Sequence, residues 1–429
     1  MSSIADAQKA QGSAPADAAD PIGKRRLLSF LLPPAVAMYA TFQGIQQILI
    51  PAQVAALDPA QKVANLALLT ALSSVTAVLG LLSGGALSDR TRGRWGRRAP
   101  WLALTGAVSA GLLVAMGRLD SLTAIAIGYC LLWFTMNFYQ AALTAVLPDR
   151  VPERLRGVAS SVLGLGVPLG IMTGVNVAAR VSQQAGYAVL AGLVVLTTAA
   201  FLVFAREPAN WAAPPRAEHA PLGPTDRLRR VAGFFASFRS RDFSLAFVSR
   251  AFMFFAQFTI SGYMYYILQD HIGAQNLPGH DPKVAVSILG TINTGVWIVS
   301  VIVAGWAADR LNRRKLFVGL CSIGLAMAML VPLLSPTWTG ILIFKILGGI
   351  FFGTYMAVDL ALMSLVLPDK NAEGRDMAVL AVATAGPQIL APVIAAALIG
   401  LGGYEQLFIF GGVMALGGGM LVLLIKSVR

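Results

Sequence analysis

The sequence predicts an all-α membrane protein of twelve transmembrane helices, set as two six-helix bundles related by an internal repeat. Three observations predict it: a composition too apolar for water, twelve apolar runs of spanning length, and two motifs that recur at one offset. Of the 429 residues, 56% are hydrophobic and 12% charged, which leaves too little polar surface to cover a soluble fold of this size. The formal net charge is +13. The bases gather between apolar runs rather than along one face, so they mark topology and argue against a nucleic-acid footprint.

Apolar runs long enough for a hydrocarbon core of roughly 30 Å lie at 27–50, 63–88, 99–117, 121–146, 157–180 and 186–205. Six more lie at 243–269, 284–307, 316–335, 338–366, 377–399 and 404–425. An even number places both termini on one side. With that side cytoplasmic, the inner segments hold Lys9, Lys24, Arg25, Arg26, Arg90, Arg92, Arg94, Arg97, Arg98, Arg150, Arg154 and Arg156, besides the bases after residue 200. The outer side takes only Lys62, Arg118, Arg180, Lys283 and Lys345. This one-sided split predicts a multi-pass protein of the cytoplasmic (inner) membrane with both termini in the cytoplasm.

Residues 1–22 are rich in Ala, Asp, Ser and Gln and lack the basic and apolar regions of a signal peptide, so they read as a disordered cytoplasmic tail. The first bundle then covers 23–205 and the second 243–429. Between them, 206–242 turns to Pro, Arg, Ala and His and reads as a cytoplasmic linker held beside anionic lipid by Arg227, Arg229, Arg230, Arg239 and Arg241. The bundles repeat. Gly85-Ala-Leu-Ser-Asp89-Arg90 returns as Gly305-Trp-Ala-Ala-Asp309-Arg310, and Leu147-Pro148-Asp149 returns as Leu367-Pro368-Asp369. Both offsets are 220 (309 − 89 and 369 − 149), which places a duplicated six-helix unit on each side of the linker.

Soluble-type catalysis has no visible site. Cys130 and Cys321 both fall in apolar stretches, and His219, His271 and His280 fall in loops without metal-ligand spacing. Neither a nucleophile elbow nor a phosphate loop is present. No enzyme activity, cofactor or metal is expected.

The Gly-x-x-x-Asp-Arg pattern followed by an Arg pair resembles the signature loop between helices 2 and 3 of the major facilitator superfamily, echoed between helices 8 and 9. In the first copy Thr91–Gly96 separates Asp89-Arg90 from Arg97-Arg98, whereas Arg313-Arg314 follow Asp309-Arg310 closely. That stretched copy, running to Pro100-Trp101, is similar to the version in the glycoside-pentoside-hexuronide and sucrose/proton symporters. Tyr263-Met-Tyr-Tyr-Ile-Leu-Gln-Asp270 and Tyr355-Met-Ala-Val-Asp359 look like bacterial relatives of the sucrose/proton group. The resemblance implies that Gly85, Asp89, Arg90, Arg97, Gly305, Asp309, Arg310 and Arg313 form conformational latches at the cytoplasmic helix ends. It departs at run 63–88, which holds no Asp or Glu, so sodium coupling of the melibiose type is not expected. Run 121–146 lacks the Arg of drug/proton antiporters, although Gly164-x-Gly166-Val-Pro168-Leu-Gly170 echoes their fifth helix.

An ionisable group inside hydrocarbon costs roughly 2.5–3.5 kcal/mol on insertion scales, so each one present calls for an explanation. Asp359 and Arg250 each lie about seven residues, roughly 10 Å, inside their runs from the cytoplasmic side. The resemblance places both runs on the central cavity, so the two are expected to pair and to carry proton coupling. A static buried pair is the plainer reading. The repeat puts Phe30 and Tyr139 at the matching positions. Lys345, about 21 Å from Asp359 along its helix, is expected to snorkel to the outer surface.

A sugar site needs convergent hydrogen-bonding groups and an aromatic face. Tyr39, Gln43 and Gln47 share one helical face, as do Trp133, Asn137 and Gln140. Gln257 and Ser261 share the face of Arg250, Asn293 and Trp297 lie one turn apart, and Tyr355 precedes Asp359 by one turn. These residues are the expected substrate contacts, although polar stripes also serve to hold membrane helices together. The function read from them is proton-coupled symport of a sugar or glycoside by alternating access. The expected partners are that small molecule, protons and membrane lipid, not nucleic acid, with the protein acting as a monomer. The alternatives are a proton-coupled exporter of amphipathic molecules and a non-transporting membrane sensor on the same fold.

Overall fold

The structure, a computed structural model, describes residues 21–207, 209, 237–311, 314–366 and 373–425. The tail expected over 1–22 lies outside these residues up to Pro21, where the first helix begins. Most of the expected linker, residue 208 and 210–236, also lies outside them. Among the described residues, twelve helices are long and apolar enough to cross a membrane. Helix α1 (Pro21–Gly44) continues through a π-helical turn, Ile45–Leu49, into Ile50–Leu57. Then come α2 (Lys62–Arg90), α3 (Ala99–Met116), α4 (Leu122–Arg150), α5 (Glu153–Arg180) and α6 (Gln183–Phe204). The second set is α7 (Arg241–Ser261), α8 (Pro282–Leu311), α9 (Arg314–Leu334), α10 (Trp338–Leu365), α11 (Glu373–Gly402) and α12 (Glu405–Leu423). Among the described residues there is no strand.

In lipid each backbone N–H and C=O must be satisfied within its own segment, so apolar runs of this length become helices. Several starts carry side-chain caps: Ser182 accepts from Ala185 N, Ser240 from Phe243 N and Thr337 from Gly340 N. Helices overrun the apolar runs where they enter the headgroup region. Gly85–Arg90 thus forms the last turns of α2, and Leu147–Asp149 those of α4, whereas the sequence reading put both motifs in loops. Hydropathy ends at the hydrocarbon edge, but the helical hydrogen-bond ladder does not.

The repeat is visible in the packing. In the first half α2 packs on α4, α1 on α5 and α6, and α3 on α4 and α6. In the second half α8 packs on α10, α7 on α11 and α12, and α9 on α10 and α12. Across the middle, α5 meets α8 and α2 meets α11. Glycine permits the α1–α5 crossing: a methyl group on Gly44 would lie 2.8 Å from the Gly174 carbonyl oxygen. Beyond α7, a second π turn, Ile267–Gly273, overlaps the position to which the 220 offset carries Ile45–Leu49. Such turns leave one residue out of helical register and occur often at functional sites.

Polar contacts between the halves gather at one end of the molecule. There Lys62 Nζ meets Asp270 Oδ1 at 2.6 Å and Gln269 Oε1 at 3.1 Å. The Tyr266 hydroxyl donates to Pro51 O at 3.0 Å and the Tyr263 hydroxyl to Val63 O at 3.3 Å; within the second half, the Tyr263 hydroxyl also lies 2.9 Å from Pro392 O. Asn176 Nδ2 donates to Thr291 Oγ1 at 2.8 Å. Tyr404 donates to Asp270 Oδ2 at 2.5 Å. Burial, and then the carboxylate it serves, push this phenol above its ordinary pKa, so it stays a donor.

Candidate functional site

Two adjoining chambers lie between the halves. The first, about 280 Å³, is lined by Gln43 and Gln47 of α1, Gln257 and Ser261 of α7, and Asn293 and Trp297 of α8. The second, about 390 Å³, is lined by Tyr39 of α1 and by Trp133, Asn137 and Gln140 of α4. Gln43, Gln46 and Gln388 line both. The helical spacings explain the convergence, since i, i+4 and i, i+7 positions stack on one face of a helix. Within the chambers Gln47 donates to Gln43 at 2.5 Å, Gln257 to Ser261 at 3.3 Å, and Asn137 to Trp133 O at 2.8 Å. The Trp297 indole N–H is buried without a hydrogen-bond partner. The Phe42 ring meets Trp133 edge-on at 5.4 Å.

Arg250 and Asp359 lie behind the first chamber. Arg250 Nη1 donates to Asp359 Oδ2 at 2.6 Å, and its Nε donates to Thr384 Oγ1 at 3.0 Å. Asp359 is 1% exposed, and the Tyr355 hydroxyl, one turn earlier on α10, lies against the same carboxyl. The guanidinium lies 5.5 Å from the centroid of Phe254, a wall residue of the first chamber. Tyr355 departs from its expected role: it is buried against Phe254 and Phe352 and lines neither chamber. One turn before Asp359 on α10, its ring faces the interior of the second half. At the matching positions in the first half, Phe30 stacks on Phe204, and the Tyr139 and Thr198 hydroxyls lie 2.8 Å apart.

At the helix ends opposite Lys62, Arg98 is 3% exposed and contacts Ser88, Asp89 and Asp149, with Asp149 at 2.8 Å. Arg97 is peripheral, 3.4 Å from Asp89 and 3.9 Å from Asp149. Glu207, just past α6, accepts from the backbone N–H groups of Arg97, Arg98 and Ala99 at 2.8–2.9 Å. It therefore caps the positive end of the α3 dipole. Arg150 donates to Ala205 O at 2.7 Å and Arg206 O at 2.8 Å, satisfying carbonyls at the end of α6.

A model of the Major Facilitator Superfamily matches residues 29–280 and 252–429. The chain belongs to the major facilitator superfamily. Membership makes it a multi-pass membrane transporter. It is similar to the MFS transporter asaE of Aspergillus flavus, 32% identical over 118 residues; the match spans 27% of this chain and about a quarter (26%) of that relative's length. Two solved structures share the fold. A bacterial homolog of the human lysosomal transporter Spinster, inward-facing and occupied, has a TM-score of 0.69 at 12% identity over 96% of this chain and 98% of its own. The peptide transporter POT in complex with sulfate has a TM-score of 0.70 at 16% identity over 93% and 94%.

The superfamily's signature loop is built here around a residue the sequence reading passed over. Arg98, not Arg97, holds the centre, with Asp149 as its second acid. Arg90 is exposed and makes no ion pair among the described residues, and Gly85 faces open space. In the second copy Gly305 lies in α8, and Arg310 sits 5.3 Å from the Trp306 ring centroid. The side chains of Asp309 and Arg313 lie outside the described residues. Gln46 and Gln388 were also missed, although Gln46 adjoins Gln47 and Gln388 is an amide deep in an apolar run. Glu207→Ala is expected to lower stability by about 1–2 kcal/mol through loss of the α3 cap. A thermal unfolding midpoint in detergent that does not move would refute that role.

Proposed function

We propose that the protein is a proton-coupled symporter of a sugar or glycoside, working by alternating access in the cytoplasmic membrane with both termini in the cytoplasm. The observation that carries this reading is the buried Arg250–Asp359 pair set behind Phe254, the wall of a chamber furnished with amides and one indole. Protonation of Asp359 removes the carboxylate charge, releases Arg250 from it, and lets the neutral carboxyl remain buried while the halves rock. Loss of the proton on the other side restores the pair. The positive-inside bias makes the Lys62 end external, so the contacts gathered there close the outer face. Arg97, Arg98, Asp89 and Asp149 then latch helix ends at the cytoplasmic face.

The competing reading is a proton-coupled exporter of amphipathic molecules. It draws support from the apolar wall that Leu66, Val167 and Ile171 give the first chamber. Proteoliposomes under an inward gradient of one pH unit separate the two. For one proton per sugar the wild type should accumulate radiolabelled sugar up to about tenfold, since one pH unit corresponds to about 1.4 kcal/mol. Asp359→Asn should equilibrate the sugar and still exchange it across the bilayer, without accumulation. Efflux of a lipophilic cation against its gradient, with no sugar movement, would decide for the exporter.

A further inference from the structure

Lys345 does not snorkel as its place in α10 led us to expect. It lies seven residues from the first residue of the helix, roughly 10 Å along the axis, and its side chain lines the first chamber, with the ammonium 5.6 Å from the Phe344 ring centroid. Its neighbours there are neutral. Neither chamber has an Asp or Glu in its wall. The acids at this end of the molecule, Asp58, Asp120, Asp270, Asp281 and Glu405, lie in loops or at a helix start, and Asp270 already serves Lys62 and Tyr404. Among the described residues the only other cation near the chamber, Arg250, is neutralised by Asp359. The first chamber therefore carries one uncompensated positive charge.

The same chamber wall holds an indole. Trp297 lines the chamber, and its indole N–H is buried without an acceptor. A buried donor left unpaired is unfavourable, and so is a cation held out of water without a counter-charge. The cation's deficit is met by a ligand that brings an anionic oxygen, whereas the indole N–H is closed off from the chamber space. Asn293 helps to set the geometry, donating to the backbone oxygen of Lys345 at 2.7 Å and so tying α8 to α10 beside the ammonium. The repeat places Ile125, fully buried, at the position matching Lys345, so the charge belongs to one half and is not part of the shared scaffold.

We propose that the transported molecule is an organic anion: a polyhydroxylated substrate whose carboxylate or phosphate group sits against Lys345, with its hydroxyls on the glutamines of the chamber. This inference rests on the sugar reading above and narrows it. Ligand charge then compensates the site charge, and neutral sugars of the same size bind more weakly because they leave the ammonium unpaired.

The test is equilibrium binding to the purified full-length protein in detergent, read by intrinsic tryptophan fluorescence, with glucose, gluconate and glucose 6-phosphate as probes. Wild type, Lys345→Arg and Lys345→Met are compared, each first shown to be monodisperse with an unchanged unfolding midpoint. At least one anionic probe is expected to bind ten times more tightly than glucose, and which one does so distinguishes carboxylate from phosphate. Lys345→Arg keeps that preference and Lys345→Met brings the ratio near one. Equal binding of glucose and both anions to wild type, or a preference that survives Lys345→Met, overturns the inference and leaves the sugar reading intact. Absence of binding by all three probes overturns both.

Discussion

Arg250→Met alone should cripple the folded protein, whereas the double variant Arg250→Met/Asp359→Leu should fold. Removing one member of a buried ion pair leaves the other charge uncompensated in a low-dielectric interior, and the penalty for that is about 3–5 kcal/mol. Asp359 is the sharper case because it is 1% exposed. Replacing both members by apolar groups of similar size removes the desolvation penalty together with the attraction, so the double variant should unfold close to the wild-type temperature. It should also exchange sugar without accumulating it. The measurement is thermal unfolding of the three proteins in one detergent. A single variant as stable as wild type would mean that the pair does not hold the charge that the coupling scheme requires.

Arg98→Ala should slow transport by on the order of 100-fold while leaving substrate affinity within about twofold. A factor of 100 corresponds to about 2.8 kcal/mol, which is within reach for a nearly buried guanidinium that meets Asp89, Asp149 and Ser88 together. Arg98 lies at the helix ends, on the far side of the molecule from the Lys62 contacts, and lines neither chamber. Its loss should therefore act on interchange between conformations and not on the bound complex. Arg97→Ala, with contacts of 3.4 and 3.9 Å from a more exposed position, should slow transport only a few-fold. Single-turnover counterflow with parallel binding measurements checks both. An Arg98 variant whose affinity falls in step with its rate would show that the cluster shapes the chamber itself.

The fold was legible because membrane insertion leaves few choices. A run such as 63–88 without one charge has to be helical, and the 220 offset in two motifs made the duplication readable without any contact information. The convergence of Gln43, Gln257 and Asn293 could also be anticipated, because helical spacing fixes which residues share a face. What escaped was whatever depends on how one helix end meets another. Arg97 and Arg98 are adjacent and chemically identical, and only the docking of α2, α4 and α6 around the start of α3 decides which is buried. Glu207 lies outside the apolar pattern, in what reads as linker, and its acceptance of three backbone N–H groups depends on where α6 ends relative to α3. Lys345 misled for a related reason: from sequence a base in an apolar run has a standard escape toward the headgroups, and only the packing of α8 against α10 shows the chamber that receives it instead. Tyr355 was placed by its neighbour Asp359, but one turn of helix was enough to direct it away from the chamber.

The unequal furnishing of the two halves bears on membrane voltage. Apart from Arg180 at the outer end of the fifth run, the apolar runs of α1 to α6 hold no Asp, Glu, Lys or Arg, while those of the second half hold Arg250, Asp359 and Lys345 well inside. An electric field exerts force only on charge, and moving one elementary charge through 100 mV corresponds to about 2.3 kcal/mol. The apolar interior of the first half therefore gives the field no fixed side-chain charge to act on, and the charges buried within the helices belong to the second half. In the proposed coupling scheme, each proton that lands on Asp359 unmasks the charge of Arg250, so protonation would also set how strongly the field pulls on that half.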